Sequence, residues 1–139
     1  MEIIFDGYTF SDNKNLISIE KVCELLRTCY WAENRKKETT IKAIENSLCI
    51  GIYSGEEMVG FARMVTDYAT MYWLCDVVID DKHRKKGLGK KLIELVTKMN
   101  ELDGTSGLLA TRDAHGLYEK YGFEKAGERY MRKTAETNT

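Results

Sequence analysis

The chain has 139 residues, 43% hydrophobic and 31% charged. That length suits one core and not two, so a single domain over residues 1–139 is expected. The 21 basic and 22 acidic residues leave a formal charge of −1, which speaks against a nucleic-acid footprint over the whole surface.

There is no proline, so the 11 glycines and short polar residues must make every sharp turn. The cysteines Cys23, Cys29, Cys49 and Cys75 form no CxxC pair. A zinc site or redox pair is therefore not expected, and reduced thiols in a cytoplasmic protein are. The start, Met1 to Asp6, lacks a positive segment followed by an apolar one, unlike a signal peptide. No apolar run approaches the ~20 residues that span a membrane.

In chain order, residues 3–10 are apolar and aromatic around Gly7, which predicts an edge strand or two short pieces. Leu16, Ile19, Val22, Cys23, Leu25, Leu26 and Cys29 recur at helical spacing, so residues 16–30 read as a helix. Thr39 or Thr40 is the expected cap of a second helix ending at Asn46. The period then becomes that of strands. Leu48 to Tyr53 is followed by a turn at Ser54-Gly55. Met58 to Thr66 places Val59, Phe61, Arg63 and Val65 on one face. Tyr72 to Ile79 is almost continuously apolar, as in a strand covered on both faces. Residues 87–102 predict a helix and 107–111 a short strand. Asp113 is the expected cap of a helix that runs to Tyr121 and ends at Gly122. A last strand is predicted over residues 128–132, and the polar tail after Lys133 is expected to fray. The order implies an α/β fold with a mixed central sheet and helices on both faces.

The chemistry concentrates where the strand ending Val77-Val78-Ile79 runs into Arg84-Lys85-Lys86-Gly87-Leu88-Gly89-Lys90. A strand feeding a glycine-rich loop that opens a helix offers free backbone N–H groups and the positive end of a dipole, which suits phosphate oxygens. Gly87 and Gly89 let the backbone approach an anion closely. Neither the GxxxxGK[ST] loop nor the GxGxxG fingerprint is present, since Leu92 stands at the third glycine position of the latter.

This Arg84–Gly89 stretch resembles the acyl-CoA pyrophosphate loop of the GNAT superfamily of N-acetyltransferases. Downstream, Leu117-Tyr118-Glu119-Lys120-Tyr121-Gly122-Phe123 resembles that superfamily's second signature, with a strand between the two as in the family. The resemblance implies a GNAT-like fold, acetyl-CoA as cosubstrate, no metal, and direct transfer to a primary amine in a ternary complex. By the same resemblance, the amides of Lys85 to Lys90 would hold the pyrophosphate. The backbone of Val77 to Ile79 would pair with the pantetheine arm, and the N–H of Val78 would polarise the thioester carbonyl. Tyr118 would be the general acid for the departing thiolate. Where the family often keeps an asparagine against the pantetheine, this chain has Thr111. His115 matches no family position and reads as a surface residue.

Asp76 interrupts an apolar strand, and an unpaired buried carboxylate is costly. It is the candidate base, with burial raising its pKa into a useful range. The alternative is an ion pair. A hairpin centred between Ala69 and Thr70 would set Asp76 opposite Arg63, and a paired Asp76 would bind the amine and not deprotonate it. The acceptor side is expected around Tyr30, Trp31, Glu33 and Arg35. Tyr30 and Trp31 are either core or an apolar wall, and Glu33 or Asp67 is a ligand for a cationic amine. The acceptor itself is open, and so is a homodimer, since many members of the family dimerise. Two other functions compete: an acyl-CoA sensor without turnover, and a toxin-like transferase acting on aminoacyl-tRNA. Against the latter, the basic cluster from Lys82 to Lys91 is accounted for by CoA phosphates.

Overall fold

The computed structural model describes residues 1–136. Six strands form one sheet in the order in which they occur along the chain. β1 (Glu2–Phe5) and β2 (Tyr8–Ser11) make a hairpin. Its two-residue turn, Asp6-Gly7, has φ of 50° and 81°, the double positive φ of the turn that matches strand twist. β3 (Leu48–Ser54), β4 (Glu57–Thr66) and β5 (Met71–Ile79) continue antiparallel. β6 (Ser106–Leu108) is parallel to β5.

α1 (Ile19–Leu26) is capped by Ser18, whose hydroxyl accepts the Lys21 N–H. A 3-10 turn over Lys14–Leu16 precedes it, so the expected 16–30 helix is shorter and broken. α2 (Lys37–Glu45) begins after Lys36, and Thr40 is buried inside it, not at its cap. α3 (Leu88–Thr97) and α4 (His115–Glu119) complete the set.

Two apolar clusters lie against the sheet. One joins Val22, Leu25 and Leu26 of α1 and Ile44 of α2 to Cys49, Tyr53, Met58, Phe61 and Val78. The other joins Leu88, Leu92, Ile93, Leu95 and Val96 of α3 to Phe10, Ile50, Ile52, Val59, Ala62, Met64 and Leu74. The helices thus cover both faces, as expected of this mixed α/β sheet.

Two extra residues in the strands change which side chain faces where. Tyr53 opposes Met58 while Ile52 opposes Gly60, so Val59 is a bulge. It moves Val59 into the α3 cluster and leaves Phe61 on the α1 side, which corrects the single face expected for these two. Phe61 opposes Val78 while Arg63 opposes Cys75, so Asp76 and Val77 together face Ala62. Asp76 takes this second bulge in the left-handed region, at φ 53°.

The strand buried on both faces is β3, and β5 alternates between buried and half-buried residues. Asp76 breaks its apolar run, and its end opens on a cleft. The strand expected over residues 128–132 does not form. A 3-10 turn spans Gly127–Arg129, and Tyr130 stacks on Trp73 with centroids 6.0 Å apart. That segment has little apolar surface to bury, and Met131 stays 93% exposed. Of the tail expected to fray, residues 137–139 lie outside the described residues.

Candidate active site

The parallel pairing of β5 with β6 ends at Trp73 and Leu108. Beyond it, one edge of β5 from Leu74 to Ile79 has no neighbouring strand. Asp80 donates its N–H to the Val59 carbonyl at 2.8 Å. Backbone groups alternate along a strand, so the Val78 N–H also turns toward β4. The N–H groups of Val77 and Ile79 turn to the open edge. The Val78 N–H, expected as a donor to the thioester, therefore does not face the open edge.

The chain then rounds a loop into α3. Asp80 accepts the Lys82 N–H, and a 3-10 turn covers Asp81–His83. Lys85 has φ 64° and Gly87 φ 76°, both left-handed. The first helical bond runs from the Lys91 N–H to the Gly87 carbonyl. The N–H groups of Leu88, Gly89 and Lys90 precede it and stay free for a ligand. Nothing lies within 4 Å of the place a Cβ on Gly89 would take. Arg84 is held by Asp81 at 2.9 Å and Lys91 by Glu94 at 3.5 Å. Among the described residues, lysines 85, 86 and 90 carry no ion pair.

Strand edge and loop form one side of a cleft of about 720 Å³, a size suited to a cofactor-like ligand. Val77, Val78, Ile79, Arg84, Lys85, Gly87, Leu88, Gly89 and Lys90 all line it, as expected from the sequence; Lys86 does not. The opposite side comes from Thr28 to Trp31, and Asp113 and Leu117 close one end. Tyr30 and Trp31 are 51% and 45% exposed and line the cleft, so the core reading of these two does not hold. Their rings meet edge to face at 5.2 Å, and Arg112 lies 3.8 Å from the Tyr30 centroid.

Asp76 is buried and fully engaged. Arg35 donates to both its oxygens, at 2.7 and 3.1 Å. Arg63 Nε donates to Oδ2 at 2.9 Å, and Trp31 Nε1 to Oδ1 at 3.2 Å. Burial pushes its pKa up, but the Arg35 hydrogen bonds and the Arg63 charge outweigh it and hold the carboxyl below its usual range. The raised pKa expected of a base is absent, and the ion pair with Arg63 is present. Its register partner is Cys75, because the bulge shifts the pairing by one residue.

Tyr118 does not line the cleft itself. It lies half-buried on α4, edge to face with Phe123 at 5.9 Å. Burial raises its pKa, and the Asp113 charge adds to this. Thr111 Oγ1 accepts the Ala114 N–H at 3.0 Å, so Thr111, not Asp113, ties down the start of α4. Gly122 and Phe123 close its far end through the Glu119 and Tyr118 carbonyls, with Gly122 at φ 92°.

Glu33 and His115 are exposed. Asp67 sits in the β4–β5 turn, at the opposite end of β5 from the cleft. Its carboxylate accepts from the Thr70 hydroxyl and from the N–H groups of Thr70, Ala69 and Met71. Led by the Thr70 hydroxyl, these bonds hold its pKa well down, and its role is to build the turn. Among the cleft residues that the sequence did not point to are His83 and Cys29. His83 was hidden in a basic run, and its partner Tyr8 lies in β2. Among the described residues, no cluster of metal-ligating side chains occurs, and no helix is long and apolar enough to cross a membrane.

The acetyltransferase (GNAT) family profile matches residues 19–123. A protein named "uncharacterized N-acetyltransferase ycf52" in Pyropia yezoensis is 30% identical over 132 residues, covering 89% of this chain and 74% of that one. A crystal structure from Xanthomonas campestris pv. campestris, described as an acetyltransferase of the GNAT family, superposes with a TM-score of 0.89 at 32% identity. The match covers 95% of this chain and 96% of the other. Glucosamine-6-phosphate N-acetyltransferase from Arabidopsis thaliana shares the fold with a TM-score of 0.67 at 16% identity, over 96% of this chain and 100% of that one.

Proposed function

The chain belongs to the GNAT acetyltransferase family, and from that premise we propose that it transfers acetyl from acetyl-CoA to a primary amine within a ternary complex. The observation that carries this reading is the unpaired edge of β5 beside the free N–H groups at the start of α3. An extended pantetheine arm adds to that edge as a strand would. Its pyrophosphate accepts from the amides of residues 85–90, with Lys85, Lys86 and Lys90 supplying charge. The Val77 N–H, on the open edge, donates to the thioester oxygen as negative charge develops there.

The amine sheds its proton to water and attacks the carbonyl carbon. The new C–N bond forms, the C–S bond breaks, the thiolate takes a proton from Tyr118, and the nitrogen's remaining extra proton leaves to water, which reprotonates Tyr118. A phenol whose pKa is raised by burial keeps its proton and is suited to that role. In this reading Asp76 is not the base. It fixes the bulge that presents Val77 and ties Trp31 and Arg35 to the sheet. The acceptor enters between Tyr30-Trp31 and the strand edge. The four cysteines, all free, suit a reducing compartment such as the cytoplasm.

The test is thiol release from acetyl-CoA with a panel of amines, amino acids and peptide N-termini. Amine-dependent release with matching acetylated product is expected. CoA binding without release from any acceptor would make the protein a binder only.

A further inference from the structure

His83 is a cleft residue that neither the loop's backbone chemistry nor Tyr118 uses. Its Nδ1 lies 2.7 Å from the hydroxyl of Tyr8. Tyr8 is only 7% exposed, and its ring meets the imidazole edge to face at 5.5 Å. A buried phenol and a perpendicular ring contact leave the imidazole little freedom. Among the described residues the Tyr8 hydroxyl has no other hydrogen-bond partner, and donating to Nδ1 it pairs with the tautomer that carries the ring hydrogen on Nε2. Among the described residues, Nε2 has no hydrogen-bond partner, and His83 borders the same cleft as Lys85, Gly87 and Gly89. The β1–β2 hairpin supports this loop at a second point. The Phe5 ring lies 5.5 Å from Lys91 Nζ, and its Cζ is 4.0 Å from the place a Cβ on Gly87 would take.

We propose that His83 is a side-chain ligand for a phosphate of acyl-CoA, donating from Nε2, and that Tyr8 is the positioning residue that fixes its tautomer and direction. This rests on the acyl-CoA reading of the cleft. The N-terminal hairpin then serves the cosubstrate site, although it contributes no backbone to it. A neutral imidazole suffices, because the hydrogen on Nε2 is supplied by the tautomer and not by acid.

The experiment is calorimetric titration of the whole chain with CoA, for the wild type and for His83→Ala, His83→Gln and Tyr8→Phe. Circular dichroism checks the fold of each. A hydrogen bond to a charged oxygen predicts a roughly 10-fold weaker Kd for His83→Ala. Glutamine carries an N–H near the position of Nε2, so His83→Gln should recover most of the loss. Tyr8→Phe, which frees the tautomer, should lose about 3-fold, within the span of a single neutral hydrogen bond. The chain has 2 histidines, so long-range nitrogen spectra of the imidazoles are assignable with His83→Gln. The Nε2 proton of His83 should shift on addition of CoA, a change that a purely structural role does not produce. An unaltered Kd in a folded His83→Ala, or equal losses in the alanine and glutamine variants, overturns the proposal while leaving the acyl-CoA reading intact. A wild type that binds no CoA overturns both.

Discussion

Arg35 and Asp76 join the loop after α1 to the bulge of β5 through two hydrogen bonds, at 2.7 and 3.1 Å. One carboxylate thus ties the Tyr30-Trp31 wall of the cleft to the strand that presents the open N–H groups. Arg63 completes the pairing from β4 and passes on to Ser47 at 3.1 Å. This arrangement explains why an aspartate occupies a left-handed position in an otherwise apolar strand. The cation partners repay the burial of its charge.

Asp76→Asn should therefore act first on stability. It leaves two arginines facing a neutral amide, and removing one member of a buried pair costs about 3 kcal/mol. The pH dependence has a definite sign. The folded pKa of Asp76 is depressed, so its contribution is complete above the unfolded value of ~3.9 and is lost as pH falls through the folded value. Urea titrations between pH 2 and pH 7 should show the wild type losing stability below about pH 4. The variant, lower at neutral pH, should lose less over that interval. Equal slopes in the two proteins would contradict the ion-pair account.

Gly89→Ala should separate stability from binding. The position is helical and open, so alanine should stabilise the fold by up to about 1 kcal/mol. The same methyl enters the cleft, and the Kd for CoA should rise. Gly87→Ala should instead destabilise by about 1 kcal/mol, because φ 76° disfavours any side chain. Thermal melts and CoA titrations of both variants check the contrast. An unchanged Kd for Gly89→Ala would remove the loop as the phosphate cradle.

Tyr118→Phe should lower kcat about 10- to 1,000-fold with little effect on the KM for acetyl-CoA. Burial and the charge of Asp113 hold the phenol protonated, so the wild-type rate should rise with pH as the acceptor amine deprotonates. It should show no inflection near neutrality from Asp76. A variant as fast as the wild type at saturating substrates would take Tyr118 out of the mechanism.

The thiols should be slow. Burial pushes Cys49 and Cys75 up to about 11, and Cys29 is raised for the same reason. Aromatic disulfide reagents at pH 7.5 should leave these three largely unmodified in the native chain. All 4 cysteines should react in denaturant. Rapid native labelling of Cys49 would contradict the burial seen here.

Much of the fold was legible because it is written in local periodicity. Glycine breaks marked the β1–β2 turn and the end of α4, and the strand-like runs on either side of the Ser54-Gly55 turn marked an antiparallel meander. The loop that opens α3 was legible because its glycines and lysines are contiguous. The last strand was misread because a short run around Tyr130 and Met131 implies a strand only where a partner and a core exist. Thr111 was missed as the helix anchor because it and Asp113, two residues apart, compete for the cap, and only the backbone path chooses between them. Tyr8 and His83 lie 75 residues apart, and no spacing rule links them.

By itself the sequence determined the family, the layered α/β plan and the place where a glycine-rich basic loop opens a helix. These follow from residues that are neighbours along the chain. Only the tertiary structure decided the phase of β5. One extra residue at Asp76 exchanges which N–H groups face the open edge and which face β4. It also converted a candidate base into a carboxylate held by Arg35, Arg63 and Trp31. Register and bulges depend on which strands lie side by side, and that is settled by the burial of both sheet faces together.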